Sequence, residues 1–470
     1  MIALTLAEIS HAVSGTLYLE GTTADPATIV SGLPQTDSRL IEAGGIFFAK
    51  PGEFTDGHLF APQAVERGAV LLVVEHPVAL DVPQIVVADT VTALGALASE
   101  VVARVRERGQ LAIVGITGSN GKTTTKNLLG AILQGVGPTI APRASFNNEV
   151  GAPLTMLEVT ERTRFLISEM GASKIGEIAR LVGLARPDIG VVLKVGLAHA
   201  GEFGGIEATL RAKTEMVSDL NSTDVAVLNR DDPRVASMAD KTAARVVWFG
   251  LDPRADIVAS EVRGTARGTT FTLTLPSGES RSVTLQILGE HHVMNALAAA
   301  AVAHVLEVDI DAIVAALESV KRAERWRMEV LGGSRGVTII NDAYNASPDS
   351  MAAALKTLAQ IAEPGSRTVA VLGEMSELGE YAGDEHDRIG LLAVRLNIGQ
   401  LIIVGPGARR MHISAIREGS WDGESHHVDT PDEAFEILSN TLKSGDLVLV
   451  KSSNSAGLRF LGDRLGELFS

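Results

Sequence analysis

The amino-acid sequence predicts an α/β protein of three domains, and three observations support this. The chain has 470 residues, which is too long for one ordinary domain. Short apolar runs typical of buried parallel strands alternate with helical patterns along much of the chain. A glycine-containing loop joins one such strand to a helix between Leu111 and Leu129. We therefore expect a central domain of P-loop type, with a mostly parallel sheet, between two smaller α/β domains.

The glycine-containing loop has the features of a phosphate cradle. The run 111–116 is long enough for one buried strand, and an apolar-periodic helix follows Lys122. The loop and helix start comprise Thr117, Gly118, Ser119, Asn120, Gly121, Lys122, Thr123 and Thr124. Backbone N–H groups at such a turn point at an anion, the lysine adds positive charge, and Thr123 can hold Mg²⁺. This pattern predicts binding of a nucleoside triphosphate, here ATP.

Two points stand against that interpretation. Ile116 occupies the position where the strict Walker pattern has its first glycine. The competing interpretation is an ordinary strand-to-helix turn that contains Gly-Lys-Thr. The loop retains the part of the pattern that wraps the phosphates, so we retain the prediction of a nucleotide site.

Composition excludes several classes of protein. The formal net charge of −16 argues against a nucleic-acid binder, which normally presents a basic face. Cysteine is absent, so disulfides and thiolate chemistry are excluded. No apolar run reaches the length of about 18 residues that a membrane span requires. The N-terminus lacks a basic region and a cleavage site, so we expect a cytoplasmic protein.

Residues 1–108 are predicted to form a small α/β domain. Leu4–Val13 and 61–67 have helical patterns, and 46–49 and 68–74 are predicted strands. Two polar clusters stand out in this region, and composition alone favours turns for both. They comprise Thr36, Asp37, Ser38 and Arg39, and the loop from Phe54 to His58 with Asp56. The amphipathic run 91–108 ends in a charged segment, which is a plausible domain boundary.

The central domain is predicted to span 109–322. Glu169 lies at the C-terminal end of the predicted strand 165–170, and His199 follows the strand 189–195. Ligands bind outside the carboxyl ends of parallel strands, so both residues should lie at the same edge as the glycine loop. That combination suits Mg²⁺ bridging phosphate groups, although Mg²⁺ generally prefers oxygen ligands.

For other candidates in the central domain, the residues alone leave a structural alternative open. Asn147 and Asn148 indicate a polar loop, with a plain turn as the alternative. Lys213 lies in a helical run, 208–217, where an isolated lysine is usually solvated. Residues 255–288 have the alternation of β-hairpins, and a long alanine-rich helix containing Asn295 follows.

Residues 323–470 again alternate strands and helices. The predicted strands are 336–341, 368–372, 401–404 and 447–450, and each leads into a polar loop. Loops at strand C-termini are where this architecture places binding groups.

Several motifs together resemble the Mur ligases of peptidoglycan synthesis. The loop 117–123, Glu169, His199 and the helix start 291–295 occur in the order found in that family. The segments 147–153, 342–348 and 371–379 are most similar to the branch that adds D-alanyl-D-alanine to a UDP-N-acetylmuramoyl-tripeptide. The clusters 36–39 and 56–58 resemble the family's UDP-sugar domain. The resemblance covers all three predicted domains.

The resemblance implies a role for each matching residue. Lys122 and Thr123 would hold the ATP phosphates and Mg²⁺, and Glu169 and His199 would be metal ligands. Lys213 matches a lysine that the family carbamylates, which would make it a further metal ligand. Asn295 would bind adenine, and Arg327 and Asp342 would close on the nucleotide; with Lys122, His199 and Lys213, these two form the implied catalytic set. His292 stands where the family usually has Asn. The implied substrate-binding residues are Thr36, Asp37, Ser38, Arg39, Asp56, His58, Asn147, Asn148, Tyr344 and Asn345.

The activity implied by the resemblance is ATP-dependent amide formation through an acyl phosphate. The implied domains are a UDP-substrate domain, a central ATPase domain and a C-terminal Rossmann-like domain that binds D-alanyl-D-alanine, in a monomer. Two alternatives remain at this point. One is another amino-acid ligase of this type or a folylpolyglutamate synthase, and the other is a P-loop nucleotide switch without a small-molecule product.

Overall fold

The structure is a computed structural model that describes residues 1–52, 55–143, 145–197, 201, 204–265, 268–322, 324–418 and 424–470. Within these ranges the chain forms three sheets of five, nine and six strands, with a separate two-stranded ribbon. Helices cover the sheets, so the predicted α/β class is confirmed. None of the described helices combines the length and apolarity that crossing a membrane would require.

The first sheet lies within residues 16–86. Its strands are β2 Thr16–Tyr18, β4 Pro34–Gln35, β5 Ile46–Phe48, β6 Leu71–Val74 and β7 Gln84–Val86, in the order β2-β7-β6-β5-β4. Only the β2–β7 pair is antiparallel. The helices are α1 Leu6–Ala12, α2 Ala61–Glu66 and α3 Thr90–Arg108, with short 3₁₀ helices at Ser38–Leu40 and Gly57–Phe60.

The helix predicted at Leu4–Val13 begins two residues later than expected. Leu4–Thr5 is strand β1, which pairs with β3 at Ile29–Val30 to form the ribbon. Thr5 accepts a hydrogen bond from the Glu8 N–H, and the Glu8 carboxylate accepts one from the Thr5 N–H. This capping box satisfies backbone donors of the first turn and starts the helix at Leu6.

The second sheet is the largest and lies within residues 112–285. Its strands are β8 Ala112–Thr117, β9 Thr139–Ile140, β10 Phe165–Glu169, β11 Ile189–Val192, β12 Val225–Asn229, β13 Arg245–Gly250, β14 Ile257–Thr265, β15 Gly268–Thr274 and β16 Ser280–Leu285. The order is β16-β15-β14-β13-β12-β11-β8-β10-β9, parallel from β9 to β14. The antiparallel β14, β15 and β16 confirm the hairpins predicted over 255–288.

The helices around this sheet include the one that follows the glycine loop. They are α4 Lys122–Gln134, α5 Gly151–Met156, α6 Glu177–Ala185, α7 Ile206–Ser218, α8 Pro233–Ala236, α9 His291–Val305 and α10 Ile310–Ser319. A 3₁₀ helix follows α8 at Ser237–Lys241.

The third sheet lies within residues 329–451. Its strands are β17 Glu329–Gly332, β18 Thr338–Asn341, β19 Thr368–Leu372, β20 Gln400–Val404, β21 Ser425–Val428 and β22 Leu447–Lys451, in the order β17-β18-β22-β19-β20-β21. Only β17 is antiparallel to its neighbour. The helices are α11 Pro348–Ile361, α12 Ala382–Arg395, α13 Arg409–Glu418, α14 Pro431–Thr441 and α15 Leu458–Leu468, with 3₁₀ helices at Gly379–Tyr381, Pro406–Ala408 and Asn454–Ala456.

Helix α3 joins the first two sheets through a common apolar core. Leu97 and Val101 are fully buried and belong to the same core cluster as Leu166 of β10 and Ile46 of β5. The helix also packs against α1, α5 and α6. Residue 108, where the sequence suggests a boundary, is therefore the last residue of a helix that packs against both the first and the second sheet.

Strand register determines which residues meet at the edge of the central sheet. Glu169 at the end of β10 pairs with Ile116 of β8, and Val192 at the end of β11 pairs with Thr117. The three parallel strands therefore end together, beside the glycine loop. This arrangement confirms that Glu169 and the loop share one edge, as expected of an open parallel sheet.

We predict that Leu97→Ala destabilises the first two sheets together. Removing a buried leucine leaves a cavity that costs about 2–5 kcal/mol of unfolding free energy. Because the core spans α3, urea denaturation followed by circular dichroism should shift the transition that contains both sheets. Glu107→Ala, on the exposed face of the same helix, is the control and should change stability by less than about 0.5 kcal/mol. A shift confined to a separate, earlier transition of the first sheet would contradict the common core.

Candidate functional site

The glycine loop connects the end of β8 to the start of α4 through a backbone that requires glycine. Gly121 has a φ of +88° and immediately precedes Lys122, the first residue of α4. A Cβ atom at Gly121 would lie 2.2 Å from Oδ1 of Asn295 on α9. The loop therefore packs directly on α9, and its backbone N–H groups and the α4 N-terminus form the kind of turn that holds phosphate.

Lys122 bends back over the loop. Its Nζ donates to the Gly118 carbonyl oxygen at 2.8 Å. Burial lowers the pKa of Lys122, the nearby Arg327 charge lowers it further, and Glu169 acts in the opposite direction. Glu169 therefore only partly offsets the effects of burial and of Arg327 on the ammonium group. This is expected for a lysine that binds an anion.

Thr123 and Glu169 form an oxygen-rich pair below the loop. Glu169 is 1% exposed, and its carboxylate accepts from the Thr123 hydroxyl at 3.1 and 3.4 Å and from the Asn147 amide at 2.8 Å. The Thr123 hydroxyl is also 3.2 Å from that of Ser145. A hydroxyl and a carboxylate are hard oxygen donors, so this pair fits Mg²⁺.

Lys213 on α7 is buried in the same region. It is 2% exposed, which excludes the solvated helix face that its sequence context allowed. Burial lowers the pKa of Lys213 to about 7, and the charge of Lys122 acts in the same direction, whereas Glu215 and Glu177 oppose it. The side chain is therefore a substantially neutral amine near physiological pH.

The third sheet contributes Arg327 and Tyr344 to the site. The Arg327 guanidinium lies over the Tyr344 ring, 4.4 Å from its centroid, and its Nε is buried without a hydrogen-bond partner. Two contacts cross the seam between the central and third sheets and bring the third sheet against the glycine loop. The Ser347 hydroxyl donates to Asn120 Oδ1 at 3.0 Å, and Lys194 is 3.4 Å from Asp349 on α11.

A cavity of about 840 Å³ lies between the central and third sheets. It brings together many of the predicted site residues. Its lining includes Ser119, Asn120, Gly121, Lys122, Thr123, Thr124, Asn147, Asn148, Glu169, Lys213, Arg327, Tyr344 and Asn345.

Thr117 and Asn295 lie behind this lining, and Asn148 has a second role beside its place in it. The Thr117 hydroxyl donates to the Met170 carbonyl oxygen at 2.7 Å. Asn148 lines the cavity, but its Oδ1 also caps α5 by accepting from the N–H groups of Val150 and Gly151. Asn295 lies 3.1 Å, through its amide nitrogen, from Nδ1 of His292, whose Nε2 is buried without a partner. Burial lowers the pKa of His292 well below its usual value, so this imidazole is neutral.

Asp342 is held by a lysine that the sequence analysis did not single out. Lys451, the last residue of β22 and 2% exposed, is 2.6 Å from Asp342 Oδ2 and donates to the Asn345 carbonyl oxygen at 3.0 Å. The sequence signal was a charged residue ending an apolar strand. Lys126 was also missed; it is 1% exposed and lies one turn after Lys122, where its Nζ donates to the Pro142 carbonyl oxygen.

The predicted residues of the first sheet lie apart from this cavity. Asp37 and Arg39 form an exposed ion pair of 2.7 Å, and the Ser38 hydroxyl donates to Gln63 Oε1 at 2.6 Å. The 3₁₀ helices containing Ser38 and His58 both pack on α2, which brings the two predicted clusters together.

His58 is occupied by contacts within the first sheet. Its Nδ1 is 2.6 Å from Asp56 Oδ1, and its Nε2 accepts from the Glu75 N–H at 2.9 Å. It therefore orders the loop around Asp56. Phe54, which begins this predicted loop, and His199, the predicted metal ligand, lie outside the described residues.

Comparison with known proteins identifies the family. Three family models match in chain order: the Mur ligase family catalytic domain at residues 35–109, the Mur ligase middle domain at 116–303 and the Mur ligase glutamate ligase domain at 326–454. The chain belongs to the Mur ligase family. The resemblance identified from the sequence is therefore confirmed.

Individual Mur ligases match over nearly the full chain. The UDP-N-acetylmuramoyl-tripeptide–D-alanyl-D-alanine ligase of Mycobacterium tuberculosis is 43% identical, over 99% of this chain and 98% of its own. A crystal structure of MurF from Acinetobacter baumannii has a TM-score of 0.89 at 31% identity and covers 99% of both chains. MurF from Thermotoga maritima in complex with ADP has a TM-score of 0.80 at 28% identity and covers 93% of this chain and 97% of its own.

We predict that Lys213 makes stability rise with pH in the unliganded protein. Its pKa is about 7 in the folded state and 10.5 in its unperturbed form, so the unfolded chain binds more protons between these values. Unfolding free energy should therefore increase from about pH 7 to about pH 10.5 by more in the wild type than in Lys213→Met. Urea denaturation across this range measures the difference. Lys241→Met, at an exposed lysine, should retain the wild-type slope; equal slopes in wild type and Lys213→Met would contradict the prediction.

Proposed function

We propose that this Mur ligase joins D-alanyl-D-alanine to a UDP-N-acetylmuramoyl-tripeptide, using ATP, in peptidoglycan precursor synthesis. The observation that carries the proposal is the cavity at the glycine loop, where Lys122, Lys213 and Arg327 converge from two sheets on a space bordered by Glu169. Relatives named for this reaction match the chain over nearly its whole length. The enzyme would act as a cytoplasmic monomer. By supplying peptidoglycan precursor, it would support cell-wall growth, cell shape and division.

ATP would bind with its phosphates on the glycine loop. The loop N–H groups and Lys122 would contact the phosphates from the central sheet, and Arg327 would contact them from the third sheet. Asn295 packs against Gly121, which suits a contact with the adenine end of the nucleotide. Asp342 would act from behind the lining, since its carboxylate holds Lys451.

Mg²⁺ would be held by Thr123 and Glu169, with His199 and a carbamylated Lys213 as further ligands. The ion would offset negative charge on the phosphates. Asn147 donates to Glu169, so it would orient that carboxylate toward the metal as well as border the substrate site.

Lys213 has the properties that carbamylation requires. A neutral amine can attack CO₂, forming an N–C bond and releasing one proton, and the pKa of about 7 makes the neutral form available. The product is an anion, so the repulsion between Lys213 and Lys122 would become an attraction. This change of sign supports Lys213 as a carbamate rather than as an ammonium.

The reaction would proceed in two displacements. A terminal carboxylate oxygen of the tripeptide attacks the γ-phosphorus of ATP, ADP leaves and an acyl phosphate forms. The amine of D-alanyl-D-alanine then attacks the acyl carbon, loses a proton and expels phosphate to leave the amide. Lys122 and Arg327 would stabilise charge on the transferring phosphoryl oxygens. The Ser347–Asn120 and Lys194–Asp349 contacts would hold the third sheet against the central one. Closure of the site would then limit the access of water to the acyl phosphate.

The substrates would be divided among the three predicted domains. Residues 1–108 would bind the uridine nucleotide through 36–39, Asp56 and the loop ordered by His58. Residues 109–322 would bind ATP, with Asn147 and Asn148 facing the peptide. Residues 323–470 would bind D-alanyl-D-alanine near Tyr344 and Asn345, which line the cavity.

Acceptor-dependent phosphate release tests this function. With ATP and UDP-N-acetylmuramoyl-tripeptide, we expect sustained release of ADP and phosphate only when D-alanyl-D-alanine is added, with one amide formed per ATP. Folate plus glutamate should give no release above background. Release that is independent of the dipeptide would indicate a nucleotide switch, and release with folate and glutamate would indicate a folylpolyglutamate synthase.

Lys122→Ala should abolish most turnover while the protein remains folded. The loop shape depends on Gly118 and Gly121, and removing one preorganised donor to a transition state typically lowers kcat by about 10²–10³-fold. Acceptor-dependent phosphate release at saturating ATP measures the loss, and circular dichroism checks folding. Lys241→Ala is the matched control at an exposed lysine and should keep nearly full activity. Retention of more than about a tenth of wild-type turnover, well above that range, would refute the assignment of Lys122 to the phosphates.

A further inference from the structure

Arg327 lies between two residues with strained backbone conformations. Trp326 has a φ of +58° and Met328 a φ of +49°, both in the left-handed region that residues other than glycine rarely adopt. Such angles persist only where surrounding contacts impose them, and they concentrate at functional sites. Two sets of contacts, here called anchors, hold this segment: one holds Trp326 and the other holds Met328.

The first anchor holds Trp326 to the last helix. The indole Nε1 donates to both carboxylate oxygens of Asp463 on α15, at 3.0 Å each. Asp463 also accepts from the side-chain amide of Asn341, at the end of β18, at 3.1 Å. The Trp326 backbone is held as well, because its N–H donates to Glu329 Oε2 at 2.9 Å.

The second anchor holds Met328 to the third sheet. The Met328 N–H donates to Asp342 Oδ1 at 3.0 Å, while Oδ2 of the same carboxylate contacts Lys451 at 2.6 Å. Asp342 therefore holds the backbone next to Arg327 as well as a buried lysine. Because both neighbouring residues are held, the backbone at Arg327 is restrained. The direction in which its side chain leaves the backbone is restrained as well.

The Arg327 side chain extends from this segment into the cavity. It lies over Tyr344, and its buried Nε has no hydrogen-bond partner. Its charge acts on Lys122 across the seam, where it helps to lower the pKa of that residue. Trp326 and Asp463 do not belong to the cavity lining, so any effect that they have on the nucleotide acts through a lining residue, either Arg327 or Tyr344, whose ring is stacked on that of Trp326.

We propose that Trp326 and Asp463 form a clamp that orients Arg327 toward the nucleotide phosphates, which makes both of them positioning residues for the ligase reaction. This inference rests on the proposed function, because ATP is there assigned to Arg327. The clamp transmits the position of α15 to a side chain in the active site. It sets the guanidinium in place before the nucleotide binds, so binding does not have to order it.

Trp326→Phe and Asp463→Asn test the clamp in the full-length enzyme. Phenylalanine keeps an aromatic ring beside Tyr344 and Phe460 and the same backbone strain, but lacks the indole N–H. For each variant we expect the Kd for ADP, measured by calorimetry, and the KM for ATP to rise about tenfold, as for loss of a hydrogen bond to a charged group. The KM values for the UDP precursor and the dipeptide should not change.

Arg325→Gln is the matched control. Arg325 is 60% exposed, pairs with Asp463 at 2.9 Å and places its guanidinium 4.6 Å from the centroid of the Trp326 ring, and it does not line the cavity. Its removal deletes the ion pair and leaves the indole bond intact, so we expect less than about a twofold change. An equal effect of Arg325→Gln and Asp463→Asn would overturn the clamp by assigning the effect to the ion pair.

A double-variant comparison separates positioning from general stability. In an Arg327→Ala background, Trp326→Phe should cause no further rise in the Kd for ADP, although it can still lower the melting temperature. An additional tenfold rise, or normal ADP binding in both Trp326→Phe and Asp463→Asn, would overturn the proposal. If Trp326→Phe does not fold, Asp463→Asn decides alone. Normal binding in Arg327→Ala would also overturn it, whereas failure of the ligase proposal would appear separately as dipeptide-independent phosphate release.

Discussion

A cluster of buried basic side chains around one glycine loop organises the active site of this protein. Lys126, Lys213 and Lys451 are each at most 2% exposed, and Lys122 and Arg327 are half-buried beside them. A buried cation is costly unless an opposite charge lies near it, and burial lowers the pKa of all four lysines. Glu169 and Asp342 provide negative charge at two points of this cluster. Lys122 and Arg327 line the cavity, so a polyphosphate entering it meets donors that are already in place.

The parallel sheet and the seam next to it account for where this charge lies. Parallel strands β8, β10 and β11 end together, which places the glycine loop and Glu169 at one edge. The third sheet faces this edge and supplies Arg327 and Tyr344. Neither sheet contains the complete set of groups, so the site exists only when the two are in contact. An enzyme that forms an acyl phosphate benefits from such an arrangement, because the contact that completes the site also excludes water.

Contacts in two separate regions hold the elements of the structure in place, one at helix α3 and the other around Arg327. Helix α3 buries Leu97 and Val101 in a core that extends from the first sheet to β10, so the first sheet has a fixed position on the central one. At the other end, Asp463 holds the Trp326 side chain and Asp342 holds the Met328 backbone, on the two sides of Arg327. In each case residues far from the cavity determine the direction from which a binding group approaches it.

Local sequence is sufficient to predict the features that depend on neighbouring residues. The loop 117–123, the strand that ends at Glu169, the hairpins over 255–288 and the family could all be identified from local pattern, because glycine spacing and side-chain alternation act over a few residues. Three other features are visible only in the folded protein. Lys213 is buried in the same region as Lys122, and Asp342 pairs with Lys451 and holds Met328. His58 is occupied by Asp56 and the Glu75 backbone. A pKa, a burial or an anchoring hydrogen bond depends on groups that can be 100 or more residues away, such as Lys451 for Asp342. Those contacts form when sheets pack, and local sequence carries little information about them.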